Sequence, residues 1–409
     1  MLKSNYIFAL DIGSTNIRSA VGEVLPNLPL QIICAHTSPI FGMRRGQVSD
    51  IGDVAEAIRN NVGEIEKKIG ENLGPFVVSA GGSHIQSATS RGVVAISRAD
   101  GEVSEEDIDR VIKAAEAISL PQNKEIIHIL PKDFTVDKEE KIKDPIGIHG
   151  VRLEVECEVI YGSSYSLKNL NKALEESGIE VEELVDSTLA SSESVLSKRQ
   201  KELGVLLLDI GGSSTGFSVF EEGNLIKNTA LPVGAAHITN DIAIAFQLPI
   251  EVAEKVKLKY GISQKEKSPK KEEIKLEEFG EEDRTISRKK LIDVIEARNI
   301  EILELANKEL KRISRERLLP AGVVLVGGGA KMPGLEELVK KELHLPCQIG
   351  FPRQVEGVVD KIDDPSFAGP VGLLEWQLKE FSGGKKRGIG NRFGKNFSKI
   401  KKWFEGLLP

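Results

Sequence analysis

The chain has 409 residues, 40% of them hydrophobic and 29% charged, a length and balance that bury a large core in two or more globular domains and exclude a disordered or fibrous chain. Cys34, Cys157 and Cys347 are too few and too far apart for a disulfide framework or a zinc motif and fit a reducing compartment; the apolar run that closes at Asp11 is too short for a signal sequence, and no run approaches bilayer length. The formal charge of −7 is uneven: residues 381–409 hold eight Lys/Arg against one Glu, a net +7, which leaves −14 on residues 1–380.

Taken in order, Ile7 to Val24 (IFALDIGSTNIRSAVGEV) reads as an apolar strand ending at Asp11, a turn, and an alternating second strand. Gly13 lets backbone N–H groups approach an anion, Ser14, Thr15 and Asn16 add polar donors, and Arg18 adds a charged contact to a phosphate. Asp11 stands where a carboxylate holds a hydrated Mg²⁺ beside phosphate oxygens. An extended segment, Leu30 to Thr37, leads to the loop Phe41 to Val48, whose Arg44 and Arg45 read as solvated. Val54, Ile58, Val62, Ile65 and Ile69 keep helical spacing up to a stop at Gly70, and a strand follows at Phe76 to Ser79. Residues 84–164 form a separate block: a strand at Gly92 to Ser97, then a helix opened by Ser104 with Asp107 in capping-box position, its apolar face Ile108, Val111, Ile112 and Ala115. His84, His128 and His149 lack ligand spacing, so no metal site is expected in it.

A helix is expected over Leu167 to Glu176, and a second over Leu184 to Leu196, with small residues Ala190, Ser191 and Ser192 for close packing and a solvated Glu193. No Asp or Glu stands in an evident water-activating position there, so any hydrolysis is expected to be slow. Gly204 to Phe220 (GVLLLDIGGSSTGFSVF) repeats the first device: Asp209 ends a strand, and Gly211, Gly212, Ser213 and Ser214 make the turn. Two copies predict a duplicated α/β fold whose halves face each other across a polyphosphate. Pro232 to Gly261 divides into two helices at Pro249, and in the second Glu254 and Lys257 project from one face, either as an exposed ion pair of little worth or as ligand contacts. Lys- and Glu-rich Ser263 to Arg288 reads as a mobile or hairpin excursion. The helix from Ser287 to Ile313 turns Leu291, Ile295, Ile302, Ala306 and Ile313 to a core and Lys289, Lys290 and Arg298 outward, a basic face suited to an acidic peptide. Val323 to Leu335 carries a third turn, Gly327, Gly328, Gly329 and Ala330, before a helix begun by Pro333. A closely packing helix with Ala368, Gly369 and Gly372 spans Phe367 to Leu378, and Lys385 to Gly390 is a flexible linker. The last segment places Phe393, Phe397, Ile400, Phe404 and Leu407 on one helical stripe with Trp403, flanked by Lys395, Lys399 and Lys402, the profile of a helix lying in a membrane interface.

The three turns in this order resemble the actin, sugar-kinase and heat-shock-chaperone ATPase superfamily. The inserted block and the basic aromatic tail are similar, over nearly the whole chain, to the FtsA family of bacterial cell-division actin homologues. That resemblance implies an α/β, duplicated actin-like (ribonuclease-H-like) ATPase fold, with core halves at 1–83 plus 165–196 and 197–240 plus 320–380. It implies an inserted subdomain at 84–164, an outer lobe at 241–319, a linker at 381–390 and an amphipathic membrane-targeting helix at 391–409. It also implies ATP and Mg²⁺ as cofactors, with Asp11 and Asp209 as metal-side catalytic residues acting through waters and residues 13–16, Arg18 and residues 211–214 on the phosphates. Glu254, Lys257 and residues 327–330 would meet the ribose and adenine. The implied partners are the FtsZ C-terminal peptide (at Lys289, Lys290 and Arg298), further copies of the chain in a filament, other division proteins and an anionic membrane surface, with no nucleic acid. The implied location is peripheral, on the cytoplasmic face of the membrane at the division site. A small-molecule kinase of the same superfamily and a pilus-assembly actin homologue are the alternatives.

Overall fold

In the computed structural model, which describes residues 6–26, 28–70, 73–264, 272–281, 284–353 and 355–382, the Asp-ended strand opens each of two similar sheets. The first half contains β1 (Tyr6–Ile12), β2 (Asn16–Glu23), β3 (Leu30–Pro39), the two-residue strands β4 (Met43–Arg44) and β5 (Gln47–Val48), α1 (Ile51–Ile69) and β6 (Phe76–Ala80). The loop expected at 41–48 is therefore a small hairpin, turning at Arg45 and Gly46, both at positive φ. α1 begins where the Asp50 side chain accepts from the Asp53 N–H and ends on Gly70 at φ 73°. The inserted block follows with β7 (Gln86–Ala95), α2 (Glu105–Glu116), β8 (Lys124–Val136), β9 (Glu139–Ile142) and β10 (Arg152–Ser163). Ser104 and Asp107 form the expected capping box.

The chain then returns through α3 (Ser164–Ser177), β11 (Val181–Asp186) and α4 (Ser187–Val195). Here Leu184 to Asp186, expected as helix, is strand paired in parallel with β6. The second half contains α5 (Lys198–Leu203), β12 (Val205–Ile210), β13 (Thr215–Glu221), β14 (Asn224–Leu231), α6 (Ala235–Phe246) and α7 (Ile250–Tyr260). The hairpin β15 (Glu273–Lys275) and β16 (Thr285–Ser287) precedes α8 (Arg288–Arg312), β17 (Val323–Val326), α9 (Leu335–Leu343) and β18 (Cys347–Ile349). The last described elements are β19 (Val355–Gly357), α10 (Val359–Ile362) and α11 (Ala368–Ser382). α9 starts two residues after Pro333 because residues 328–331 first form a 3₁₀ turn.

Strand order β3-β2-β1-β6-β11 in the first sheet recurs as β14-β13-β12-β17-β18 in the second, and β19 adds to the free side of β3. In each half the Asp-bearing strand runs antiparallel to its successor and parallel to the next strand inward. The hydrophobic order follows: β1, β6, β12 and β17 are nearly continuous apolar runs because both their faces are covered. α1 and α3 cover one face of the first sheet, and α11 covers the other with Val371, Leu373 and Leu374. α4 is buried all round, so it has no solvated side. The inserted sheet, order β7-β10-β8-β9, carries α2 directly on its surface: a Cβ at Gly92 would come 1.9 Å from the Val111 carbonyl oxygen, an approach open only to glycine. This subdomain rests on β14 of the second half, through Asn228 N–H to Ser87 Oγ (2.9 Å) and Lys227 Nζ to the Ser87 carbonyl (2.7 Å). Among the described residues no helix is long and apolar enough to cross a membrane. Of the linker expected at 381–390, Phe381 and Ser382 instead end α11; its remaining residues and the tail residues from Phe393 to Leu407 lie outside the described residues.

Candidate functional site

The two halves enclose a cavity of about 840 Å³ between their Asp-ended strands. On the first wall, the Gly13 N–H donates to the Asn16 carbonyl (3.0 Å), closing the turn, and the Ile40 N–H donates to the Thr15 carbonyl (3.2 Å). On the second wall, the N-terminus of α6 fixes the turn: Ala235 and Ala236 donate to the carbonyls of Gly211 and Gly212, each at 2.8 Å. A peptide unit is planar with its N–H opposite its carbonyl, so the N–H groups of Gly212 and Ser213 point away from α6. The turns meet where Ser14 Oγ and Ser213 Oγ lie 2.5 Å apart. Two hydroxyl-bearing turns in hydrogen-bond reach offer converging donors to one anion.

Asp11 and Asp209 both line this cavity. Burial raises the Asp11 pKa above its ordinary value, opposed by Arg18 and Ser79. Asp209 is pushed up to about 7, first by burial and then by the Asp11 charge, although Ser191 Oγ donates to its Oδ2 at 3.1 Å. Two half-buried carboxylates that line one cavity, with the Asp11 charge opposing ionisation of Asp209, suit a divalent cation. Arg18 lines the same wall, and its buried Nε makes no hydrogen bond. An unpartnered guanidinium N–H beside two glycine turns fits a polyphosphate, and the carboxylate pair fits its hydrated Mg²⁺. These residues therefore suit a Mg²⁺-nucleotide.

The third turn closes the far side. Gly327 and Gly329 are packing residues: a Cβ on Gly327 would stand 2.4 Å from Asp209 Oδ1, and one on Gly329 2.3 Å from Ile210 Cγ2. Gly328 has nothing within 4 Å and faces open space. Of the residues expected at the ligand, Gly13, Ser14, Thr15, Asn16, Arg18, Gly211, Gly212, Ser214, Glu254, Lys257 and the three glycines of this turn line the cavity, and Ser213 reaches its edge through Ser14. Ala330 does not: it is fully buried in the core of the second half.

One open alternative is decided and two expectations are corrected. Of the two readings of Glu254 and Lys257, the ordinary exposed ion pair is the one that falls. Lys257 is buried, and its three ammonium donors are taken by Glu254 (2.7 Å), Thr239 Oγ1 (2.9 Å) and the Ala235 carbonyl (3.3 Å), so it braces Glu254 from behind. Arg298 does not face outward. Asp241 grips its guanidinium at 2.6 and 2.9 Å, and Glu301 pairs with it as well. Lys289 and Lys290 are exposed, Lys290 donating to the Ala245 carbonyl at 3.3 Å. Glu193 is not solvated: its buried carboxylate lies between Lys201 (3.1 Å) and Lys379, which overcome the effect of burial and hold its pKa down at about 2.

Asp186 escaped the sequence reading. Its side chain caps α4 by accepting the Leu189 N–H at 2.8 Å, it lines the cavity, and burial raises its pKa to about 6. The Asp-Ser-Thr start of a helix is a capping signature that marks this position. The histidines serve packing: His84 Nδ1 accepts from the Ser163 N–H (3.3 Å), and His128 Nε2 from the Asp186 N–H (3.1 Å).

Comparison with known proteins adds the family. A family model described as the SHS2 domain inserted in FTSA matches residues 82–161, and one described as cell division protein FtsA matches residues 206–372. The chain is 34% identical to the cell division protein FtsA of Pseudomonas aeruginosa, across 98% of this chain and 97% of that one. It is 35% identical to the Bacillus subtilis protein of the same name, across 91% and 83%. Among solved structures it is similar to a PilM–PilN type IV pilus biogenesis complex (TM-score 0.64, 19% identity, 90% of this chain and 97% of that one). It is also similar to MreB 5 of Spiroplasma citri bound to AMPPNP (0.55, 12%, 93% and 98%), which shares the actin-like fold.

Proposed function

The chain belongs to the FtsA family of bacterial cell-division proteins, and from that membership we propose that it is an ATP-binding scaffold that polymerises on the inner face of the cell membrane and tethers the FtsZ ring there. Membership of this family decides against the sugar-kinase and pilus-assembly alternatives. The observation that carries the nucleotide part is the opposition of Asp11 and Asp209 across a cavity whose turns converge at Ser14 and Ser213.

In this reading the Gly212 and Ser213 N–H groups and the Arg18 Nε hold phosphate oxygens, Asp11 and Asp209 orient the waters of a Mg²⁺ ion, and Glu254 turns its remaining lone pairs to the ribose. The bound cation supplies charge neutralisation for the carboxylate pair. Turnover is slow, because the one carboxylate at the connecting helix that lines the cavity, Asp186, already serves as the α4 cap through its Oδ1. Nucleotide acts instead by drawing the halves together about α4 and α11 and favouring assembly. The outer lobe offers an acidic FtsZ C-terminal peptide the exposed Lys289 and Lys290, with Arg298 holding α6 and α8 in place rather than reaching the peptide. The aromatic, lysine-flanked tail lies in the membrane interface.

Co-sedimentation of the full chain with vesicles containing anionic lipid, with and without Mg²⁺-ATP, tests this assignment. Pelleting with vesicles and ATP-dependent filaments by electron microscopy are expected. A protein that stays in the supernatant and phosphorylates a small hydroxyl compound at about 10 s⁻¹, the rate of an ordinary metabolic enzyme, would overturn it.

A further inference from the structure

Large apolar side chains left exposed inside a cleft call for an explanation, since water-facing apolar clusters mark contacts still to be made. Of the exposed large apolar residues among the described ones, Phe41 (71% exposed), Leu258 (74%) and Ile250 (49%) line the cavity. Phe41 comes from the first half. Ile250 and Leu258 come from α7 of the second half, eight residues apart with Glu254 midway, so all three form one stripe on a helix face that looks into the cavity.

The segment carrying Phe41 is firmly held to its own half. Ile40 is bonded to Thr15 of the first phosphate turn, and the Gly42 carbonyl accepts from the Ser49 N–H (2.8 Å), the Asp50 N–H (3.0 Å) and Ser49 Oγ (2.8 Å). Gly46 lies against the backbone of Gly82, where a Cβ would stand 2.7 Å from the Gly82 α-carbon. The inserted subdomain does not cover this side of the cavity: beyond Ile85 none of its residues lines it.

We propose that Phe41 is the closing residue of this cleft: as the halves rotate together about α4 and α11, its ring leaves water against Ile250 and Leu258 of α7 and sets how long a bound nucleotide is retained. This rests on the nucleotide reading of the cleft. Because Ile40 is tied to the turn that meets the phosphates, occupancy of that turn and the position of the ring are linked. Contact forms only in the closed state, so its loss speeds release and leaves entry unchanged.

The test uses the full chain with a fluorescent ATP analogue and Mg²⁺ in stopped flow. Phe41→Ser and Leu258→Ser should each release the analogue about tenfold faster, equivalent to about 1.4 kcal/mol, with unchanged association rate and thermal midpoint. The double variant should be no faster than either single one, because both remove one shared contact. Phe41→Trp should shift its emission to the blue on ATP addition. Unchanged release rates, or effects of the two substitutions that multiply, would overturn the closing role while tight binding by the wild type kept the nucleotide reading intact. A wild-type protein that fails to bind the analogue would overturn both.

Discussion

Asp209 is the residue on which the cleft chemistry turns. Its carboxylate is half-buried, faces the Asp11 charge and is relieved only in part by Ser191 and Arg18, so desolvation and repulsion both resist its ionisation. In the proposed reading that cost is relieved when a cation binds between the two carboxylates. Asp209→Asn keeps the shape and removes one of the two facing charges. The unliganded variant is therefore expected to melt at a higher temperature than the wild type, while Mg²⁺-dependent ATP affinity falls on the order of 10- to 100-fold, the usual loss when a group orienting a metal's ligands is removed. Calorimetry of both proteins reads the two effects separately. Unchanged affinity would remove Asp209 from the site, and a lower melting temperature would mean that its charge stabilises the fold.

At the level of elements, the proposed hinge is the crossing of α4 and α11. A Cβ on Gly372 would lie 1.9 Å from the Ala190 carbonyl oxygen, a backbone atom with no rotamer to escape by. Gly372→Ala is expected to cost about 1–3 kcal/mol or more through overpacking, whereas Gly328→Ala, which meets nothing within 4 Å, should leave the melting temperature alone and weaken nucleotide binding by placing a methyl group in the cavity. Charge also joins these helices. Glu193 of α4 sits between Lys201 of α5 and Lys379 of α11, and burial beside the Glu193 charge pushes Glu375 of α11 up to about 8. The folded chain thus keeps a proton on Glu375 that the unfolded chain loses near pH 4.5, so stability declines as pH rises from there through about 8, by up to about 1.4 kcal/mol per pH unit. Glu375→Gln removes that titration. Its melting temperature should gain on the wild type between pH 5 and 8 and keep a constant lead above pH 8; parallel profiles would refute the shift. The same hinge shows where sequence was readable. The turns at Asp11 and Asp209 were legible because the same strand-turn-strand device occurs twice, where either copy alone would pass for an ordinary hairpin turn, and the stop at Gly70 because α1 has one wet and one dry face. Glu193 was misread because α4 is dry on every side, which no periodicity reveals, and Arg298 because its partner Asp241 lies on another helix. Asp186 was missed because β11 runs into α4 without a break, so the capping residue looked like helix interior.

For the whole molecule, the proposed membrane attachment would divide the work between the acidic body and the basic tail: the body carries −14 and would be repelled by an anionic leaflet, while residues 381–409 carry +7 and would be drawn to it. The tail would contribute about 1 kcal/mol for each basic residue near the surface and about 1.5–3 kcal/mol for each apolar side chain fully withdrawn from water. Partial burial and the entropy of ordering the segment would offset much of that gain. A single tail would therefore bind reversibly. In the proposed filament the first attached tail would hold its neighbours at high effective concentration beside the bilayer, so assembly and membrane attachment would strengthen each other without any new contact. The consequence is a steep response: vesicle binding should rise with protein concentration more sharply than one-site binding allows, and more sharply with ATP than without. High salt should weaken it only in part, since salt screens the lysines and leaves the apolar contribution of Phe397, Ile400, Trp403 and Phe404 intact. Trp403→Glu sets a charge in the apolar stripe, and in vesicle flotation the variant should stay with the soluble fraction while binding ATP as the wild type does. If that variant floats with the vesicles, the tail is a helix that docks on protein, and the link between assembly and attachment falls with it.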